Sequence, residues 1–580
     1  MNQETRKCQN CHKDFTIEPD DFGFYEKINV PPPTFCPECR MIRRVLWRNE
    51  RTIYHGTCDL CRKSTISIYN PDSSYKVYCY DCFFSDKWDQ LKSGKEYDFN
   101  KTFFKQFEEL LLHTPKLARQ LSHDIRNSDY TNHVGEVKDC YLIFASTNDE
   151  DCYYANYVSY SKWIFDSLRI FKSEWCYECV DCQNCHNLKY SMQCSACFDS
   201  AFIFNCKSCS NCFLCTNLVS QSYCIRNIKY SKEEYFEKLK AYDLGRKKVI
   251  LALAEEFELL KKKSIHRAVE GFNNIRSTGN YMRNTKNCRN CFDISDAEDC
   301  KYVSYSNDTK DTMDAYAAYP KTELCYETVG SGHPSYNCKF TYLPWESSDI
   351  LYSVSIYSAS HNCFGCTQIS GKSYCILNKQ YSKEEYEALL PKIIKHMNDM
   401  PYKDNAGRLY KYGEFFPPEL SPFAYNETIA QQYYPADRKK AESFGSGWHE
   451  NKDRNYKTSR HTEELQDNIK DVRDDILSEV IACEHAGKCN EQCTEAFKVT
   501  ENELGFYRKM KIPLPTLCHN CRHYRRLAKR NPMKLWHRSC MCEKAGHNHT
   551  GRCPNEFETS YAPERPEIVY CESCYQKEVY

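Results

Sequence analysis

Glycine is scarce in this chain, with 19 in 580 residues. That is too few for glycine-rich linkers. Neither G-x-G-x-x-G nor G-x-x-x-x-G-K-[ST] occurs, which excludes the dinucleotide fingerprint and the P-loop. Net charge is lacking as well: Lys plus Arg is 79 and Asp plus Glu is 79. A globally basic, histone-like protein is therefore excluded, although local patches are not. No run approaches 18 apolar residues, so no membrane span is expected. The opening MNQETRKCQNC has no apolar stretch of the kind that marks a secretory leader, and the expected location is cytoplasmic. Catalytic signatures are missing too: there is no H-E-x-x-H and no G-x-S-x-G. His123-Asp124 reads as exposed, and His333 and His361 read as surface or core residues. The expectation is a non-enzymatic protein.

What the chain has instead is cysteine and aromatic residues. It carries 39 Cys, about 6.7%, with 45 Tyr, 30 Phe and 7 Trp. At roughly 150 residues per domain the length suggests about four units, enough to bury a real core. In a reducing compartment, cysteine pairs read as metal ligands before disulfides, and an odd total cannot pair completely. Four C-x2-C pairs open the chain: Cys8/Cys11, Cys36/Cys39, Cys58/Cys61 and Cys79/Cys82. Two intervening residues let one knuckle present both thiolates to one metal, and two knuckles close a tetrahedral sulfur site that favours zinc. The simplest assignment puts one zinc on Cys8, Cys11, Cys36 and Cys39. A second sits on Cys58, Cys61, Cys79 and Cys82. Iron–sulfur is the minor alternative.

The other end repeats this plan. DFGFYEKINVPPPTFCPECRMIRR (21–44) aligns with ELGFYRKMKIPLPTLCHNCRHYRR (503–526) at an offset of 482. That maps Cys11 to Cys493, Cys36 to Cys518, Cys39 to Cys521 and Cys58 to Cys540. Cys8 lands on Asn490, beside Cys489, so the third site is read as Cys489, Cys493, Cys518 and Cys521. After an insertion of ten residues, Cys79 and Cys82 correspond to Cys571 and Cys574. The fourth site is read as Cys540, Cys571, Cys574 and one of Cys542 or Cys553, with His547 and His549 as substitutes. About four zinc ions are expected.

The pattern C-x2-C…F…FGFY…P…C-x2-C-R resembles the treble-clef zinc-binding domain. Its residues here are Cys8, Cys11, Phe15, Phe24, Tyr25, Pro33, Cys36, Cys39 and Arg40, then Cys493, Phe497, Phe506, Tyr507, Pro515, Cys518, Cys521 and Arg522. The resemblance covers about 50 residues at each end. It implies zinc, a hairpin, and a short helix opening at each second pair, which places RMIRRVLWR and RHYRRLAKR on helices. It implies no single activity. NCFxC…SYCIxNKxYSKEEY and FFPPELSPFAYNETIAQ, at 211–235, 362–386 and 415–431, make most of the chain similar to large uncharacterised cysteine-rich multi-zinc-ribbon proteins of candidate phyla radiation (ultrasmall) bacteria. That group carries no assigned function.

The middle is duplicated. Residues 211–235 and 362–386 are identical at 16 of 25 positions, offset by 151. In the first copy, cysteines recur at 18: Cys176, Cys194 and Cys212; Cys179, Cys197 and Cys215; Cys206 and Cys224. Short alternating segments with a fixed repeat predict stacked strands of a parallel β-helix, with small apolar thiols filling a narrow core. The runs Cys176-Cys179-Cys182-Cys185 and Cys206-Cys209-Cys212-Cys215 also resemble iron–sulfur spacing, so a buried reduced ladder and a metal cluster both stand. Capping boxes at Ser231/Glu234 and Ser382/Glu385 start helices that would seal the solenoid ends.

The fold class expected is multidomain and mainly β with helices, with terminal treble-clef or zinc-ribbon modules flanking a duplicated parallel β-helix-like solenoid. Its parts are a two-zinc module at 1–92, a helical linker at 93–127, a first solenoid unit at 128–230 and a helical cap at 231–274. A second unit at 275–381, a capping helix at 382–400, an irregular Pro- and aromatic-rich arm at 401–460, a helix at 461–482 and a second two-zinc module at 483–580 follow. The arm is read as wrapped over another surface, within the chain or on a partner.

Basic residues cluster behind the second knuckles: Arg40, Arg43, Arg44, Arg48 and Arg51, then Arg522, Arg525, Arg526, Lys529, Arg530, Lys534 and Arg538. On a rigidly started helix, Arg at i, i+3 and i+4 suits phosphate contacts, and Trp47, Trp536 and Tyr524 suit base stacking. The competing reading pairs these arginines with acidic solenoid edges. The function expected is a zinc-dependent binding protein whose ribbons contact RNA, DNA or a ribonucleoprotein machine. Its alternative is an assembly protein built on protein contacts or homo-oligomers. No membrane partner is expected.

Overall fold

The structure, a computed structural model, describes residues 2–450 and 457–580. Residues 451–456 of the expected arm lie outside the described residues. Two parallel β-solenoid units dominate. The first sheet runs from Ile125–Arg126 to Ile228–Lys229, and the second from Gly271–Ile275 to Lys379–Gln380.

One turn of the first unit takes 12 residues, not 18. Asn132 pairs with Phe144, Phe144 with Asn156, Asn156 with Leu168 and Leu168 with Val180, all in parallel register. The finer period is three. From His133 to Arg226, every third residue has a positive φ. The residue after each of them points inward: Val134, Val137, Cys140 and Ile143 begin the series, all buried in one cluster. Twelve residues with a period of three give each turn four inward positions. Any multiple of three therefore returns an inward residue to an inward place. The 18-residue cysteine spacing is six such triplets, which is one and a half turns. The second unit opens on a turn of 11, Gly271 with Met282, and then mixes turns of 12 and 13, as in Lys301 with Met313 and Met313 with Tyr326.

This backbone explains how a glycine-poor chain turns so often. Left-handed conformations exclude β-branched side chains most strongly and tolerate Asn and Asp. Among the described residues, the non-glycine positive-φ positions include no Val, Ile or Thr. Where Asn and Asp stand one turn apart they bridge, as in Asn187 to Asp199 (2.8 Å) and Asn287 to Asp299 (2.9 Å). Inward serines serve the backbone. Ser161 Oγ donates to the Ser159 carbonyl and accepts the Ser173 amide, at 2.9 and 3.1 Å.

The caps are as expected. Ser231 and Ser382 each accept the amide three residues on, starting helices Lys232–Leu239 and Lys383–Asp399. A second helix, Lys247–Lys263, follows the first cap, and Phe103–His113 is helical before Pro115. The helix expected at 461–482 is absent. That stretch makes 3-10 turns at Thr462–Glu464, Ile469–Asp471 and Asp474–Ser478. Asn468 accepts the Lys470 amide and donates to Asp243, so its side chain competes with helical hydrogen bonding. Ile469, Val472 and Ile476 are still buried, in one cluster with Tyr153 and Phe165 of the first unit. The arm packs within the chain: Phe416 stacks on Phe107 (5.1 Å) and lies 4.7 Å from the Trp47 ring. Among the described residues, no helix is long and apolar enough to cross a membrane.

Candidate metal centres and the arginine clamps

Four times the chain forms a short antiparallel hairpin and then a helix whose N-cap is cysteine. The helices are Pro37–Val45, Tyr80–Phe83, His519–Leu527 and Glu572–Val579, capped by Cys36, Cys79, Cys518 and Cys571. All four caps have φ between −66 and −63° and ψ between 160 and 165°. A thiolate there faces unpaired amides and the positive end of the helix dipole, which favours the charged form. The hairpin brings the other pair. In each module the first hairpin sulfur accepts the amide of the cap cysteine: Cys8 from Cys36, Cys58 from Cys79, Cys483 from Cys518 and Cys540 from Cys571, at 3.2–3.3 Å.

Four cysteine quartets result, each with its sulfurs within 4.8 Å of one another. They are Cys8/Cys11/Cys36/Cys39, Cys58/Cys61/Cys79/Cys82, Cys483/Cys493/Cys518/Cys521 and Cys540/Cys553/Cys571/Cys574. Sulfur contacts of 3.7 Å (Cys11 to Cys36), 3.9 Å (Cys61 to Cys79) and 3.9 Å (Cys553 to Cys571) match the edge of a zinc–thiolate tetrahedron, about 3.8 Å for 2.3 Å bonds. They are far too long for disulfides. The quartets are geometrically compatible with Zn2+. Against the upward push of burial, the amides of Cys61, Cys79 and Leu60 bring the Cys58 thiol down to about 6. Ser573 and Asn555 help bring Cys571 to about 6 in the same way.

The third quartet differs from the sequence reading. Cys483 holds the place that Cys8 holds in the first module. Cys489 stands beside the quartet, its sulfur 3.7 Å from that of Cys521. The usable signal was position after a strand. Cys8, Cys58 and Cys540 each follow a four-residue strand, and Cys483 follows the short strand Ile481–Ala482. In the fourth quartet Cys553 is the partner. Cys542 belongs to a separate group with His547, His549 and Cys574.

The solenoid cysteines are arranged otherwise. Cys176, Cys179, Cys182 and Cys185 take successive inward positions, each sulfur 3.1–3.6 Å from the carbonyl two residues back. Cys206, Cys209, Cys212 and Cys215 do the same at 3.2–3.5 Å. Burial pushes the Cys185 thiol up to about 12 and raises Cys194. These are the contacts of a buried ladder in which each sulfur lies against the backbone of its own rung.

The arginines are where the structure departs furthest from a phosphate-binding surface. Helix Pro37–Val45 lies on strands Met313–Tyr316 and Tyr326–Val329 of the second solenoid unit. Arg40 and Arg44 pair with Asp314 at 2.8 and 3.0 Å, and Arg43 and Arg44 with Glu327 at 2.7 and 2.9 Å. Helix His519–Leu527 lies on the first unit. There Arg522 and Arg526 pair with Asp166 at 2.9 and 3.0 Å. Arg525 and Arg526 pair with Glu178 at 2.9 and 3.1 Å. Lys529 reaches Glu178 at 3.7 Å. Arg44 and Arg526 are 0% exposed. Burial raises the Glu178 carboxyl, but Arg525, Arg526 and Lys529 outweigh it and hold the group down at about 2. The acids sit on left-handed positions one turn apart, so their side chains project from successive rungs. Sequence reading missed Asp166, Glu178, Asp314 and Glu327. Their signal was recurrence: each pair spans one turn, and the pairs lie close to one repeat length apart.

Arg530 joins the two units, and Arg48 joins the N-terminal module to the second. Arg530 reaches Asp181 of the first unit (2.9 Å) and Asp293 of the second (2.6 Å). Arg48 reaches Glu50 at 2.5 Å and the Tyr319 hydroxyl at 3.1 Å. Beside them Tyr157 stacks on Tyr305 with ring centres 4.7 Å apart. Trp47 is fully buried. The chain matches no protein-family model and no curated protein.

Proposed function

We propose that this protein is a non-catalytic, zinc-stapled scaffold whose terminal modules brace its own solenoid, leaving the outer solenoid faces to bind other proteins. The observation that carries this reading is the burial of both arginine clusters against solenoid carboxylates. A buried guanidinium already paired with a carboxylate is not open to phosphate, and drawing a whole cluster out would strand its acids at a cost of several kcal/mol. Direct readout of RNA or DNA by Arg40, Arg43, Arg44, Arg48, Arg522, Arg526 and Arg530 is therefore disfavoured, whereas Arg525 keeps about half its side chain exposed (51%) and Lys534 is exposed.

Zinc fits the quartets by chemistry, with four soft ligands in closed, mostly buried tetrahedra. The free, buried thiols suit a reducing compartment such as the cytoplasm. For binding, the first unit offers a column of alternating charge one turn apart, Lys138, Glu150 and Lys162. Exposed Tyr160, Phe171 and Phe198 lie beside it. Exposed aromatics are enriched at protein contact surfaces, whose rim is polar.

The test is purification from the protein's own cells at low ionic strength, identifying attached proteins and nucleic acids together. The scaffold reading expects a protein partner retained at high salt and lost from the Tyr160→Glu, Phe198→Glu variant. A reproducible RNA or DNA, lost at high salt, would overturn it.

A further inference from the structure

We propose that the C-terminal module holds a second metal ion beside its four-cysteine site, with Cys574 bridging the two. The proposal rests on the zinc reading of that module and adds a fifth ion to the four above.

Two ligand groups meet at Cys574. One is Cys540, Cys553, Cys571 and Cys574. The other is Cys542, His547, His549 and Cys574, whose ligating atoms also lie within 4.8 Å of one another. In the second group, Cys542 Sγ is 3.2 Å from His547 Nδ1, and Cys574 Sγ is 3.4 Å from His549 Nε2. A tetrahedral zinc with bonds of about 2.3 Å to sulfur and 2.0 Å to nitrogen puts sulfur and nitrogen about 3.5 Å apart. Cys542 and Cys574 are buried, and the His547 side chain is only 7% exposed.

The outward nitrogens fix the imidazoles. His547 Nε2 faces Glu578 Oε1 at 3.1 Å, and His549 Nδ1 faces the Gly551 carbonyl at 2.8 Å. Each acceptor takes the N–H of a neutral ring and leaves the opposite lone pair aimed into the group. That carboxylate- or carbonyl-oriented histidine is the usual outer support of a metal ligand. One thiol–imidazole hydrogen bond would need only one such pair. Here two oriented imidazoles and two thiols converge on one volume.

Charge supports the pairing. Four thiolates with one divalent ion leave a net −2. Adding Cys542 as thiolate, two neutral imidazoles and a second divalent ion brings the whole to −1, which is cheaper to bury. The second group also accounts for the insertion. The N-terminal counterpart closes its hairpin with Cys58-x2-Cys61, whereas Cys540 and Cys553 are separated by the segment that carries Cys542, His547 and His549.

The experiment is native mass spectrometry with metal analysis on the full chain, purified without chelator, against Cys542→Ser and His549→Asn variants. The wild type should carry one zinc more than either variant, with the other sites unchanged. Equal zinc in wild type and variants would overturn the proposal. The difference reads this group alone, while the absolute count reads the other four sites. If the variants fail to fold, cobalt exchange into the wild type decides. A thiolate bridge couples two Co2+ spins, so the paramagnetic signal should fall short of the cobalt bound as the last equivalent enters. A signal growing in proportion to cobalt throughout would contradict the bridge.

Discussion

The two clamps share one plan and differ most at one arginine. At the N-terminal end, Phe24 and Tyr25 meet Tyr326 edge-on, with ring centres 6.1 and 5.6 Å apart. At the C-terminal end, Phe506 stacks on Phe165 at 3.8 Å and Tyr507 meets Tyr177 at 5.9 Å. Arg40, Arg43 and Arg44 on Asp314 and Glu327 correspond to Arg522, Arg525 and Arg526 on Asp166 and Glu178. But Arg43 has a second acid. Glu414 of the arm pairs with it at 2.9 Å and also accepts the Thr34 amide at 2.9 Å. The arm lays Phe415 against the same guanidinium, and Arg43 is nearly inaccessible. Among the described residues, no arm acid pairs with Arg525, which stays half exposed. The same helix on the same two-acid edge is thus sealed at one end and open at the other. The modules also dock crosswise, the N-terminal one on the second unit and the C-terminal one on the first. Each clamp closes a loop of several hundred residues and ties the ends of the chain to its middle.

The largest expected effect is metal removal. Structural zinc carries on the order of 10 kcal/mol of folding free energy in small modules. Chelation should open 1–92 and 483–580 to protease before the solenoid, seen as early cleavage confined to the ends. Next come the shared arginines. Arg44→Ala and Arg526→Ala each remove a buried cation shared by two buried carboxylates and should cost about 3–5 kcal/mol, equal in denaturant titration if the clamps are true copies. The unshared position separates them. Arg43→Ala should cost about 3 kcal/mol or more, but Arg525→Ala less than about 1 kcal/mol because its own side chain is half in water and Arg526 and Lys529 still pair with Glu178. Similar losses at both would remove the arm from the account. In metal counting, Cys483→Ser should release one zinc and Cys489→Ser none. The smallest effect belongs to the ladder. Cys206→Ser keeps a donor to the Phe204 carbonyl and should cost about 1 kcal/mol with unchanged metal content.

Local spacing made the knuckles legible. C-x2-C fixes two sulfurs within one turn of chain, whatever lies elsewhere, and the 482-residue offset carried the plan to the other end. Cys483 escaped because its hairpin partner, Cys493, is ten residues on, across a loop that no short spacing marks. The solenoid was legible as a duplicated stack but not in its pitch. A three-residue inward period makes 12 and 18 equally regular in the cysteines, and only the strand register separates them. The apolar spacing of Leu465 to Val480 looked helical, yet Asn468 binds its own backbone and Asp243. The arginines were read on the right helices, but their partners are 270–360 residues away. Whether an exposed-looking basic cluster meets phosphate or carboxylate is decided by tertiary packing.

The central claim is that the metal modules hold the solenoid through the buried arginines. Hydrogen exchange on the full chain, with and without zinc, tests it most directly. The account predicts that stripping zinc speeds exchange in the module helices and also in the clamped rungs around Asp166–Glu178 and Asp314–Glu327, while the rungs at 194–215 stay protected. Unchanged exchange at both clamped edges after complete zinc loss would contradict it.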